Sequence, residues 1–212
     1  MKKYIAVLII FLPSFIFAQS HIGSVKLGVF TPSATDAGFI IGYEGGWYID
    51  NHFFAGWSVD WFNKNYVDQT LVAQFNDFYG PNSTLNELRA KTNLHAIPIM
   101  GSMTASWPIG PRTNAFVTGA AGIEMLLIFY RNYENPNNDE FHGAFDFAWR
   151  LDGGVSYELG PRSDVLFELD YHHSQPSWDY DVKDPQTGRT RVFERQFDMS
   201  GIMMRIGVRF YF

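Results

Sequence analysis

The sequence predicts an all-β chain folded as an eight-stranded antiparallel up-and-down transmembrane β-barrel. Three observations predict it. The final stretch alternates, with Ile202, Met204, Ile206, Val208, Phe210 and Phe212 on one row and Met203, Arg205, Gly207, Arg209 and Tyr211 on the other. A half-buried soluble strand shares that period of two. It seldom carries six large apolar side chains to a terminal Phe, because soluble chain ends are polar and frayed. Second, the length suits a tilted membrane-crossing strand, which needs about 9–11 residues. Third, short and long connections alternate along the chain, the layout of a barrel with short turns on the periplasmic side.

The chain opens with Met1-Lys2-Lys3, an apolar run from Tyr4 to Phe17, and then Ala18-Gln19-Ser20. A basic start, an apolar centre and a small residue at the exit describe a secretory signal peptide over residues 1–18, leaving 19–212 as one barrel domain. The run is too short for a membrane helix, which needs about 20 apolar residues. No later segment approaches that length uninterrupted. Loss of Lys2 and Lys3 with the leader takes the formal charge of −6 two units further negative. That balance excludes nucleic acid as a partner, since its phosphates demand Lys and Arg. The chain has no cysteine, so it has neither a disulfide framework nor thiolate chemistry. Aromatic residues make up 17% of it, enough to build girdles at two membrane interfaces.

Eight alternating runs follow. The first spans about Ser24–Thr31, the second Ala37–Ile49 and the third His52–Lys64, with Asp50-Asn51 as the tight turn between the last two. A polar stretch from Asn65 to Lys91 comes next, within which Leu71, Val72, Phe75 and Phe78 have the spacing of a short helix packed on the rim. The fourth run, Thr92–Trp107, turns at Gly110-Pro111-Arg112 into the fifth, Asn114–Arg131. After the loop Asn132–Glu140, the sixth run, Phe141–Leu159, turns at Gly160-Pro161-Arg162 into the seventh, Asp164–His173. A polar segment, Ser174–Arg195, precedes the closing strand.

In the second to seventh runs the odd positions form the lipid-facing row, for example Phe39, Trp57, Ile99, Ile123, Phe147 and Phe167. Trp47, Trp107, Tyr157 and Phe212 fall near the short turns; Trp61, Phe129, Trp149 and Tyr171 fall towards the long loops. Two belts imply two interfaces. The opposite row carries the charges: Lys26, Glu44, Asp60, Glu124, Asp146, Arg150, Asp152, Glu158, Glu168, Asp170, Arg205 and Arg209. An eight-stranded lumen is narrow enough to be filled by side chains. Charges buried there must pair. Arg150, Arg205 and Arg209 are expected to bridge Glu158, Glu168 and Asp170, while Gly42, Gly46, Gly56, Gly122 and Gly154 leave room for the long side chains.

The last strand resembles the closing strand of bacterial outer-membrane β-barrels, which ends on an aromatic residue. The resemblance implies that Val208, Phe210 and Phe212 are an assembly signal read by the barrel-assembly machinery. Leu94-His95-Ala96-Ile97-Pro98-Ile99, followed by a hairpin into Ala115–Gly122, resembles the small outer-membrane β-barrel domain common in Bacteroidota. In size and layout the chain is similar to outer-membrane proteins A, X and W. The resemblance implies residence in the cell outer membrane, contact with its lipid and a monomer. It also implies a structural, adhesive or ligand-binding role for the long loops, chiefly Asn65–Lys91 and Ser174–Arg195. A porin-like path for small solutes is the second reading.

One segment, His172-His173-Ser174, has the His-x-Ser spacing of lipid A deacylases, also eight-stranded barrels. That resemblance makes His172 and Ser174 candidates for a catalytic pair, with Asp179, Asp181 or Glu194 as the orienting acid. By parity, however, His172 faces the lumen, whereas the deacylase site faces lipid. No cofactor and no metal are expected. Asp50-Asn51-His52, Asp139-Glu140-Phe141-His142 and Asp179-Tyr180-Asp181 lack the loop patterns of calcium or zinc sites and are read as solvated turns.

Overall fold

The structure is a computed structural model, and it describes residues 21–67, 72–73, 76, 81, 83–89, 91–131, 139–183 and 190–212. Ten strands run in chain order: β1 His21–Pro32, β2 Gly38–Tyr48, β3 Phe53–Val67, β4 Lys91–Gly110, β5 Thr113–Arg131, β6 Asp139–Gly160, β7 Ser163–His173, β8 Ser177–Lys183, β9 Thr190–Gln196 and β10 Gly201–Tyr211. A short helix, α1, spans Ser83–Arg89. Eight strands close into a barrel in the order β1-β10-β7-β6-β5-β4-β3-β2, and β8 and β9 form a separate two-stranded sheet. All neighbours in the ring are antiparallel. The seam is formed by β1 and β10, from Ile22 opposite Tyr211 to Pro32 opposite Gly201.

Each turn follows from its residues. At the β2–β3 hairpin the Asp50 Oδ1 accepts hydrogen bonds from the His52 and Phe53 N–H groups at 2.7 and 2.8 Å. These bonds hold the Asp50 carboxyl below the usual aspartate range. The two Gly-Pro-Arg turns each shift the ladder register at Gly110 and Gly160, one residue before the proline that cannot donate to it.

The outward row is apolar and exposed in every barrel strand, including Val25, Leu27, Phe39, Trp57, Ile99, Ile123, Phe145, Phe167, Met204 and Ile206. A water-soluble chain does not present a continuous belt of this kind. The belt is the lipid face of a transmembrane barrel. Among the described residues no helix is long and apolar enough to cross a membrane.

One feature differs from the sequence expectation. Residues Ser177–Gln196, read as a polar connection, contain the β8–β9 hairpin, with Ser177 opposite Gln196 and Lys183 opposite Thr190. Its stem is closed by Phe197 N–H donating to Pro176 O at 2.9 Å. Trp178, Tyr180 and Val182 alternate with the same period of two, but each strand has only 7 residues, short of the about 9–11 that a membrane-crossing strand needs. The helix expected around Leu71–Phe78 falls mostly outside the described residues; Val72 within it is buried. The leader predicted over residues 1–18 also lies outside them.

Candidate functional site

The inward row stacks three layers between the short-turn end and the long-loop end. The middle layer is ionic. Arg205 on β10 is its hub: Nη1 meets Asp60 Oδ1 at 2.8 Å, and Nε meets Glu168 Oε1 at 2.7 Å and Asp170 Oδ2 at 2.6 Å. Arg150 on β6 binds the other oxygen of Asp60 at 2.5 Å and reaches Asp152 at 2.9 Å. Lys26 on β1 joins Glu44 at 2.5 Å and Glu168 at 2.9 Å. All eight side chains are buried. Register explains the convergence, since Arg205 lies opposite Glu168 across the β10–β7 ladder and opposite Gly28 across the β10–β1 ladder. Gly28 is needed there, because a Cβ on it would lie 2.7 Å from Arg205 Cγ and 2.1 Å from Met204 O. Gly42 does the same for Asp60, whose Oδ1 would sit 1.9 Å from a Cβ at residue 42.

Above it, towards the long loops, the lumen is apolar. Phe30, Ile40, Phe62, Leu94, Leu126, Ile128, Ala144 and Met203 form one buried cluster with Phe197 and Met199, which come from the segment leading into β10. Segment 197–200 is tied down by Met199 N–H donating to Ser174 O at 3.0 Å and by Ala34 N–H donating to Asp198 O at 2.8 Å. At the boundary between the two layers, His172 Nε2 lies 2.5 Å from Glu124 Oε2, with Phe30 edge-on to the imidazole at 5.7 Å.

Below the ionic layer, Arg209 lies over the rings of Phe54 and Phe116, 5.0 and 5.7 Å from their centroids. Its carboxylate partner is Glu44, not the expected Glu158, Glu168 or Asp170, and the aromatic faces take the rest of its guanidinium. Glu158, expected in the same network, is exposed at the short-turn end, where its carboxylate accepts from Asn114 at 3.4 Å. Parity placed it on the inward row but says nothing of depth, and it stands at the mouth. Asp146 is also outside the network; it accepts from the Gln175 N–H at 2.5 Å.

The catalytic pair suggested by spacing is not assembled. His172 and Ser174 are both fully buried inside the barrel, away from the lipid face. The Ser174 hydroxyl has no hydrogen-bond partner among the described residues, so no base engages it. The histidine–serine contact of this region is a different one: Ser200 Oγ lies 2.8 Å from His173 Nδ1 and 3.4 Å from Ser174 O, bracing the plug segment against β7. The side chains of Asp179, Asp181 and Glu194 lie outside the described residues. Among the described residues no group of three or more His, Asp or Glu is placed to hold a metal ion. Val208 and Phe210 lie on the lipid row of β10, opposite Val25 and Gly23 of β1, and Phe212 follows just past the end of the strand.

Comparison with known proteins gives the architecture a context. No protein-family model matches the chain, and no curated protein matches it. Solved structures do. The outer-membrane protein OprG of Pseudomonas aeruginosa is similar at a TM-score of 0.62 and 12% identity, over 92% of this chain and 96% of that one. Neisserial surface protein A is similar at 0.57 and 12% identity, over 91% and 97%. A major outer-membrane protein of Thermus thermophilus is similar at 0.56 and 10% identity, over 92% and 100%. At these identities the likeness concerns the fold.

Proposed function

We propose that the chain is a closed outer-membrane scaffold that holds its long loops at the cell surface for adhesion or ligand binding. The observation that carries this reading is the filled lumen, blocked twice by unrelated chemistry. Solute crossing the barrel would have to break the ion pairs of Arg205 and Arg150 and then displace Phe30, Phe62 and Leu126. Eight-stranded barrels of this kind are packed through. The loops, by contrast, invest chain in shape: the β8–β9 hairpin and α1 both belong to long-loop connections. The closed ring has no free strand edge, which supports a monomer. Val208, Phe210 and Phe212 are read as the assembly signal, with the lipid row of β10 presented to the insertion machinery.

Planar-bilayer recording of the refolded protein tests the closed lumen. The expected result is no unitary conductance. Stable single-channel steps would replace this reading with a narrow solute pore.

A further inference from the structure

We infer that the short-turn mouth of the barrel is a binding site for a neutral oligosaccharide. A cavity of about 900 Å³ opens there, lined by strand ends and by the Asp50-Asn51 and Gly160-Pro161-Arg162 turns. That volume is at the upper end of the roughly 300–1,000 Å³ typical of ligand pockets. Six ring strands each contribute one polar side chain to it: Tyr48, Ser106, Asn114, Glu158, Asp164 and Tyr211.

Charge narrows the ligand class. Three carboxylates face the cavity against one cation, Arg162. Asp50 accepts two backbone N–H groups, Asp164 the Tyr211 hydroxyl and Glu158 the Asn114 amide, but an accepted hydrogen bond leaves a carboxylate charged. The lining is therefore net acidic and disfavours a polyanion. Carboxylates, hydroxyls and an amide together offer acceptors and donors in mixed order. Sugar hydroxyls, each both donor and acceptor, match that order. Tyr48 and Tyr211 supply the apolar complement: their rings stack at 6.3 Å with 25° between planes. A pyranose has one face of C–H groups that lies on such rings. An extended peptide fits less well, because the strand backbones around the mouth are already paired in the ladder. With the short turns towards the periplasm, as in barrels of this kind, the site faces the glycan side of the cell envelope.

The test is a titration of the full refolded chain in nanodiscs with tri-N-acetylchitotriose, followed by NMR of the Asn114 side-chain amide. The expected result is a saturable shift at Asn114 and in the Gly160–Arg162 turn. Glu158→Gln, which keeps the side chain's shape, and Tyr48→Ala should each raise the dissociation constant about tenfold, equivalent to about 1.4 kcal/mol. Trp61→Phe, on the outer face nearer the long loops, should leave it unchanged. Heat-modifiable gel mobility identifies any variant that fails to fold; Ser106→Ala then replaces it in the comparison. The absence of a saturable shift would overturn the inference, as would wild-type affinity in the folded mouth variants. Tighter binding of trilysine than of the sugar would assign the mouth to a cation instead.

Discussion

Asp60 and Phe62 are two residues apart on the inward row of β3, yet their surroundings are opposite in kind. Asp60 is held between two arginines, 2.5 and 2.8 Å away, in a layer where every group depends on named partners. Phe62 is held edge-on by Phe30 at 5.1 Å in a layer where only volume matters. The ionic layer demands that each charge keep its neighbour; the apolar layer demands that space be filled. A lumen sealed by charge alone would admit water wherever one pair loosened. A lumen sealed by apolar packing alone would leave little to fix the inward register of the ring, for which the charged residues provide specific cross-strand partners. The two layers together give a closed and uniquely registered barrel.

Replacing the hub is the strongest way to break that comparison. Arg205→Met leaves Asp60, Glu168 and Asp170 without a shared cation, and the expected loss is about 3–5 kcal/mol, the scale for orphaning a buried charge. Urea-dependent unfolding in lipid vesicles, followed by tryptophan fluorescence, reads this loss; a change within error would mean that the layer is wet and screened. Leu126→Ala in the plug opens a cavity and should cost about 2–5 kcal/mol without disturbing the pairing below it. A double variant separates the layers: if they act independently, the two losses add to within about 0.5 kcal/mol. Gly42→Ala drives a methyl into the Asp60 carboxylate and should cost about 1–3 kcal/mol, with Arg150 and Arg205 pulled off their partner. Structure determination of that variant would show whether Asp60 or the strand moves.

The smallest effect concerns the β2–β3 turn, outside both layers. The Asp50 carboxyl lies below its ordinary value, so its contribution is present above the unfolded value, about 3.9, and is lost as pH falls through the folded one. Asp50→Ala should therefore lower stability slightly at neutral pH and not below the aspartate range. A pH series of unfolding midpoints for wild type and variant checks it; parallel curves across that range would remove the turn's role.

Much of the fold was legible because the membrane imposes a period of two that the sequence cannot disguise. Val25, Trp57, Ile99 and Phe147 must face lipid, and parity then places Asp60, Arg150 and Arg205 inside. Depth along a strand is not carried by parity. Glu158 and Glu168 read alike, but one stands at the mouth and the other in the ionic layer. Lys26 became a second hub only because ring closure brings β1 beside β10 and within reach of Glu168 on β7, a neighbourhood invisible in chain order. The plug was harder still. Phe197 and Met199 precede β10 in a segment that is not strand, and backbone bonds of Phe197 to Pro176, Asp198 to Ala34 and Met199 to Ser174 carry it over the lumen. A row of apolar residues at the loop-proximal ends of the inward faces, Phe30, Ile40, Phe62 and Leu94, was nevertheless a readable hint that the core there is dry.

At the seam, the Phe212 N–H donates to His21 O at 2.9 Å, so the first described residue and the last are hydrogen-bonded neighbours. Until β10 arrives, β1 and β7 are two unsatisfied borders, and neither can be left bare in hydrocarbon. No partial translation product is then a stable membrane species. Pairing of β10 with both β1 and β7 is the step that removes the last bare borders of the ring.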